Sequence, residues 1–274
     1  MPKKLLIAAL LCNIFCNPSH LYASSTEIPI LGKTMTQAKQ QQMTPKQALQ
    51  RLKDGNQRFL SNQPLARDYL KQAKQSAYGQ YPFAVILNCM DSRSVPEFFF
   101  DQGLADLFTL RVAGNVLNDD ILGSMEFATK VVGARLVVVL AHTSCGAVAG
   151  ACKDVKLGHL TDVINKIQPV VKPSMESTGI DNCSDPKLID DMAKANALHV
   201  VKNILEQSPI LNELVKNKQI GIVAGLHDIK TGKVTFLKKS NLSQSKACWQ
   251  LPTCFNISFQ MQAEFGYNRI IFGE

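Results

Sequence analysis

The sequence predicts an α/β fold with a mainly parallel central sheet, an antiparallel edge strand, flanking helices and an N-terminal helical arm. Short apolar runs rich in β-branched residues alternate with segments of helical periodicity, which is typical of parallel sheets. Residues 81–88 and 135–141 are two such runs, and each leads directly into polar side chains. A Thr-Gly turn at 231–232 joins residues 220–226 to residues 233–237, which predicts a hairpin at the sheet edge.

Capping residues mark the helix starts. Thr44 stands before Pro45, an N-cap followed by proline at the first helical position, and the same signal recurs at Asp185 and Ser208. Another cap spans residues 118–120, and the helix after it is expected to turn three apolar side chains inward, namely Met125, Phe127 and Val131. A third strand is predicted over residues 107–112.

Two segments that follow the apolar runs carry the ligand types of a catalytic zinc site. Cys89, His142 and Cys145 supply two thiolates and one imidazole. Zinc favours tetrahedral N/S coordination, and catalytic sites use three protein ligands and leave the fourth position to water. Neither segment offers a fourth Cys or His close by. Because ligands in open α/β sheets bind at the carboxyl ends of the strands, we expect the three side chains to meet there.

Asp91 and Arg93 lie close enough in sequence to assist this site. Zinc lowers the pKa of bound water to about 7, but two thiolates cancel the formal charge of the ion and weaken its pull on the proton. A further group is therefore needed to orient the hydroxide. Asp91 is predicted to accept its hydrogen, and Arg93, which can bind a carboxylate bidentately, to hold Asp91 ionised.

The motifs together identify a family. Cys89-Met-Asp-Ser-Arg93, then Arg111-Val-Ala-Gly-Asn115, then His142-Thr-Ser-Cys145 followed by Gly resemble the β-class carbonic anhydrases, over roughly residues 44–237. The resemblance implies a zinc enzyme that interconverts carbon dioxide and bicarbonate. It implies a homodimer, or a dimer of dimers, with active sites at the subunit interface, and it gives Asp91 and Arg93 the roles described above.

The same resemblance suggests the substrate pocket. Phe108 and Ala113 match its wall, and Gly114, grouped with the same pocket, is expected to let the backbone approach the metal loop closely. Gln80 is expected to donate a hydrogen bond to substrate oxygen across the dimer interface. Phe108 can equally be core, and Gln80 can equally be a solvated loop residue. Regulated members, in which Asp91 would ligate and close the zinc site, carry Trp where this chain has Ile86. Regulated members also lack a Gln at the position of Gln80. Gln80 and Ile86 therefore favour the open form.

Two residues depart from the common pattern of the family. Val112 stands where Asn is frequent, and Phe127 stands where Tyr is frequent. The second change removes a hydroxyl near the site. No proton shuttle is evident, since three histidines are candidates by residue type alone and each is expected on the surface or in a helix: His159, His199 and His227.

The N-terminus predicts export to the periplasm or the medium. Lysines and a short apolar run precede Ala23, so residues 1–23 read as a signal peptide, which is too short for a membrane span. Residues 24–43 are expected to form a polar arm, residues 44–240 the zinc-binding catalytic domain, and residues 241–274 a C-terminal tail.

The remaining cysteines and the charge add two expectations. Four cysteines outside the signal and the zinc site can form disulfides in three pairings, or stay buried thiols: Cys152, Cys183, Cys248 and Cys254. The formal charge of +8 comes from dispersed lysines, so no nucleic-acid partner is predicted.

Two other functions are compatible with the same motifs. One is hydrolysis of carbonyl sulfide or carbon disulfide, which depends on access to the pocket. The other is a catalytically silent zinc-binding module, which the presence of both Asp91 and Arg93 disfavours.

Overall fold

The computed structural model describes residues 32–237, which form a five-stranded sheet in the order β2-β1-β3-β4-β5. The first four strands are parallel and β4 pairs with β5 in antiparallel fashion, which confirms the predicted fold class. The strand bounds are β1 Ala84–Asn88, β2 Leu107–Arg111, β3 Leu136–His142, β4 Gly221–His227 and β5 Val234–Phe236.

Helices cover both faces of this sheet. Their bounds are α1 Gln37–Gln42, α2 Pro45–Leu60, α3 Tyr69–Ser76, α4 Pro96–Phe99, α5 Asp119–Glu126, α6 Gly146–Cys152, α7 Leu160–Ile167, α8 Val171–Thr178, α9 Pro186–Gln207 and α10 Pro209–Lys216. Two 3₁₀ turns, Ala113–Asn115 and Gln168–Val170, and a π-helical turn, Phe127–Val131, complete the regular structure. None of the described helices is long and apolar enough to cross a membrane.

The predicted caps are present. Thr44 forms a capping box with Gln47 at the start of α2, because each side chain satisfies a backbone N–H of the other residue. Asn118, Asp185 and Ser208 each accept a backbone N–H from the first turn of the helix that follows. The local signals in the sequence therefore set the start of four helices.

The strands β1 and β3 are buried on both faces, so successive residues enter two different cores. Val85 and Leu87 pack with α9 and the other helices on one face, while Ala84 and Ile86 pack with α2 and α4 on the other. This two-sided burial explains why the strands read as continuous apolar runs instead of alternating patterns.

The inward face predicted for α5 is wrong in part. Met125 is fully buried, but Phe127 is 52% and Val131 is 71% exposed. Residues two apart lie about 200° apart around an α-helix, so Met125 and Phe127 cannot face the same core. Ala128 and Thr129, three and four residues after Met125, are the buried ones.

The polar arm predicted over residues 24–43 docks on the domain at its described end. Within α1, the buried Gln40 donates from Nε2 to the Pro82 carbonyl at 2.8 Å. Arg135 donates to the carbonyl of Gln41 at 3.0 Å. The predicted signal peptide and the C-terminal tail lie outside the described residues.

One disulfide, Cys152–Cys183, joins the end of α6 to the loop before α9. It is one of the pairings that the cysteine count allows. Cys248 and Cys254 lie outside the described residues, so a bond between them stays a prediction.

A buried ion pair holds α2 and the loop after it against the end of α4. Asp101 is 3% exposed and adopts a left-handed conformation with φ 45°. Arg58 binds its carboxylate at 2.5 Å, and Arg67, whose side chain is 6% exposed, binds it as well. Burial acts to raise the pKa of Asp101, but the hydrogen bonds from Arg67 and Arg58 outweigh it and lower the pKa below its usual value.

We therefore expect Asp101→Asn to lower the free energy of unfolding by about 3 kcal/mol at neutral pH, because Arg67 loses a buried partner. Asn tolerates the left-handed conformation, so the change tests the charge. A group with a depressed folded pKa stabilises the fold above its unfolded pKa of about 3.9 and loses this effect as the pH falls through the folded pKa.

Urea unfolding of both proteins at several pH values checks this. The deficit of the variant should hold at pH 7 and narrow below pH ~4. The matched control is Asp154→Asn, which breaks an exposed pair with Lys156 and should cost less than about 1 kcal/mol. A deficit that does not change with pH would contradict the assignment.

Candidate metal centre

The predicted ligands come from the ends of two neighbouring parallel strands. Cys89 directly follows β1, and His142 is the last residue of β3. Asn88 pairs with Leu140, so the two ligands leave the sheet side by side. Cys145 returns at the N-terminus of α6, as the N-cap residue.

These three side chains form a buried cluster. The Sγ atoms of Cys89 and Cys145 and a ring nitrogen of His142 all lie within 4.8 Å of one another. His142 Nδ1 lies 2.9 Å from the carbonyl of Thr143, which makes Nδ1 the protonated nitrogen. Nε2 is buried and has no hydrogen-bond partner. A lone pair left free in this way fits a metal ion.

The two thiols cannot both ionise easily without a metal. Hydrogen bonding with Cys145 is the largest cause that lowers the pKa of Cys89, to about 4. The same interaction with Cys89, together with burial, raises the pKa of Cys145 well above its usual value. Cys89 is therefore the thiol that ionises first, and metal binding would release the proton of Cys145, because a metal binds thiols in their deprotonated form.

The glycine at 114 brings the backbone close to the first ligand. Gly114 has φ 64° and donates its N–H to Cys89 Sγ at 3.3 Å. A Cβ at this position would lie 2.6 Å from Ile167 Cδ1 and would displace that side chain, and any other residue would also have to adopt the left-handed conformation that favours glycine. This N–H stabilises negative charge on the sulfur.

Asp91 and Arg93 form the predicted pair at the edge of the cluster. Arg93 Nη2 donates to Asp91 Oδ2 at 2.8 Å, and Nε donates to Oδ1 at 3.0 Å, while the Arg93 N–H also binds Oδ1 at 2.9 Å. The hydrogen bond from the guanidinium is the largest cause that holds the pKa of Asp91 well below its usual value. Asp91 Oδ2 lies 3.9 Å from the free Nε2 of His142. An ionised carboxylate therefore faces the metal position.

Known proteins are similar to this chain. A family profile described as carbonic anhydrase matches residues 84–234. Carbonic anhydrase 2 of Mycobacterium tuberculosis is 32% identical over 195 residues, which cover 69% of this chain and 91% of the relative. The chain belongs to the β-class carbonic anhydrases. A Pseudomonas aeruginosa carbonic anhydrase is 26% identical, over 67% of this chain and 85% of its own length.

Solved structures support the fold of this carbonic anhydrase. The β-carbonic anhydrase CcaA superposes with a TM-score of 0.58 at 23% identity, over 70% of this chain and 96% of its own. A tetrameric β-carbonic anhydrase of Sordaria macrospora gives 0.55 at 22% identity, over 61% of this chain and 89% of its own. The cluster of Cys89, His142 and Cys145 is typical of the zinc site of β-class carbonic anhydrases, and carbon dioxide is the substrate of this family.

The predicted pocket residues of the enzyme differ in how far they are exposed to solvent. Phe108 and Ala113 are half-buried, and the Phe108 ring lies 6.5 Å from that of Phe127. Gln80 is exposed in the loop before β1. A substrate-binding role for these residues and for Gly114 stays a prediction.

His227 is the residue that sequence reasoning missed. It ends β4 beside His142, is 2% exposed, and stacks on Phe99 with ring centres 4.1 Å apart. Its Nδ1 lies 3.2 Å from Ser94 Oγ, next to Arg93. Burial is the largest cause that lowers the pKa of His227, to about 4.

The expectation of a surface or helix histidine is therefore wrong for His227. The other two histidines fit it, since His159 is exposed and His199 lies half-buried on α9. The signal was present in the sequence: the predicted strand 220–226 runs directly into His227, as the strand before it runs into His142.

Proposed function

We propose that this enzyme hydrates carbon dioxide at an open zinc site, with Asp91 as the catalytic acceptor and Arg93 as its partner. The observation that carries this is the bidentate pair beside three converging metal ligands. Bound zinc lowers the pKa of a water molecule toward about 7 and so supplies a nucleophile at neutral pH. Ionised Asp91 accepts the hydrogen of the attacking oxygen and turns its lone pair toward the carbon of the substrate.

Arg93 also keeps the fourth coordination position of the zinc ion free of Asp91. For Asp91 to ligate zinc, its carboxylate would have to leave the guanidinium, and the three hydrogen bonds from Arg93 oppose that movement. Ile86 is fully buried in the sheet, where the regulated members of the family carry Trp. Both features support an open resting state.

The apolar wall of the pocket suits a substrate without charge. Phe108, Ala113 and Gly114 line this wall in our proposal, and Gln80 of the partner subunit donates to a substrate oxygen. In this proposal the site is completed by two chains, and the exposure of Gln80 in one chain is consistent with a contact to the partner subunit.

The outer edge of β2 supports a dimer. Among the strands within residues 32–237, β2 has one neighbour, and its residues are half-buried or exposed. A groove of about 580 Å³ between β2 and α5 is lined by Phe108 and Phe127, and the 71% exposed Val131 follows α5 closely in sequence. Unpaired strand edges and exposed apolar patches mark interaction surfaces, and a second copy of the chain would cover this one.

Export is part of the same proposal. The apolar leader fits a signal peptide, and the Cys152–Cys183 disulfide supports an oxidising compartment, where such bonds form and persist. We propose a periplasmic or secreted enzyme.

Asp91→Ala is expected to keep zinc and lose activity. The carboxylate is not among the predicted ligands, and loss of the group that orients the nucleophile by accepting its hydrogen bond is expected to cost about 100-fold or more in kcat. Metal analysis and stopped-flow hydration of carbon dioxide measure both quantities, with Ser92→Ala, an exposed neighbour, as the control. Higher activity in Asp91→Ala would identify Asp91 as a closing ligand and contradict the open site.

Native mass spectrometry tests the assembly and its export. The full-length gene expressed in a bacterial host should give periplasmic protein that begins near Ser24, with one zinc per chain and an even number of chains. A chain that retains Met1, or a monomer with full activity, would contradict the proposal.

A further inference from the structure

The turn between the last two zinc ligands has a strained backbone. Ser144 lies between His142 and Cys145 and has φ 55°, in the left-handed region that costs a non-glycine residue about 1 kcal/mol or more. The turn sets the distance between the two ligands. Surrounding contacts must therefore hold it in place.

A carboxylate from α9 makes one of these contacts. Ser144 donates its N–H to Asp190 Oδ1 at 2.8 Å, across 46 residues of sequence. A hydrogen bond to a charged acceptor is roughly twice as strong as a neutral one. Asp190 thus opposes unwinding of the turn at Ser144, where the backbone conformation is least favourable.

The same helix reaches the other half of the metal centre. Asn196 on α9 is fully buried and donates from Nδ2 to the Gly114 carbonyl at 2.8 Å. Gly114 in turn donates its N–H to Cys89 Sγ. The helix α9 therefore contacts the turn between His142 and Cys145 and also the glycine whose N–H binds Cys89 Sγ.

The position of α9 is itself fixed. Its inner residues, among them Leu188, Met192 and Ala193, belong to the core beneath β3 and β4. The loop before it is bonded to the end of α6 through Cys152–Cys183, and α6 begins directly after Cys145. A helix held in this way can act as a rigid support.

We infer that α9 braces the zinc centre, with Asp190 as the positioning residue for His142 and Cys145 and Asn196 as the positioning residue for Cys89. The inference rests on the zinc site and is independent of the roles proposed for Asp91 and Arg93. Loss of a group that orients metal ligands typically weakens metal affinity by about 10- to 100-fold.

Asp190→Ala tests this, with Asp191→Ala as the matched control. Asp191 is the next residue on α9, and its carboxylate binds Lys187 and Lys194 of the same helix. Zinc affinity is measured by competition with a chelator, and the visible spectrum of the Co²⁺ form reports ligand geometry. Asp190→Ala should bind zinc about 10- to 100-fold more weakly with an altered Co²⁺ spectrum, and Asp191→Ala should match the wild type in both.

Asp190→Asn adds a rescue. Its amide oxygen accepts the Ser144 N–H through a neutral and therefore weaker bond, so its zinc affinity should lie between those of wild type and Asp190→Ala. This variant decides the question alone if Asp190→Ala does not fold. If Asp190→Ala folds, equal zinc affinity in Asp190→Ala and Asp191→Ala would overturn the inference. If it does not fold, equal zinc affinity in wild type and Asp190→Asn would overturn it. Zinc affinity and the Co²⁺ spectrum do not depend on turnover. If the catalytic roles proposed for Asp91 and Arg93 were wrong, activity measurements would show it, and these two readouts would not change.

Discussion

The parallel pairing of β1 with β3 determines where the zinc ligands meet. Parallel strands lie about 4.8 Å apart, so residues that leave two neighbouring strands at the same edge start within reach of one metal ion. The register places Asn88 beside Leu140, which brings Cys89 and His142 to that edge together. Cys145 then needs a single tight turn to complete the set. The fold therefore holds two ligands on rigid strands and leaves one to a turn that other elements must support.

The chemistry of the site follows from the charge of its ligands. Two ionised sulfurs neutralise the charge of a dication and weaken its effect on a bound water molecule. The protein must therefore supply another group that orients the nucleophile. The Arg93–Asp91 pair meets that need with a carboxylate that stays ionised far into the acid range. The Gly114 N–H donates to Cys89 Sγ and, together with hydrogen bonding from Cys145, lowers the pKa of the Cys89 thiol.

The sequence was informative where the signal was local. Helix caps such as Thr44 and Asp185 and the apolar strands are set by neighbouring residues, and the ligands follow strands whose ends must meet. The inward face predicted for α5 is wrong in part because apolar character does not set the position of a side chain around a helix, and Phe127 lies about 200° from Met125. His227 was assigned by residue type, although its place at a strand end beside that of His142 predicted burial near the metal. The contact of Asp190 with Ser144 spans 46 residues and has no pattern in the sequence, since a helical Asp looks the same in solvent and beside a metal turn.

Stopped-flow hydration of carbon dioxide, measured before and after zinc is removed with a chelator and then restored, tests the central claim most directly. Hydration should fall to the rate of buffer alone in the stripped enzyme and return in proportion to zinc, up to one ion per chain. Hydration that persists without zinc, or zinc-loaded protein with all three ligands intact that does not hydrate carbon dioxide, would contradict it.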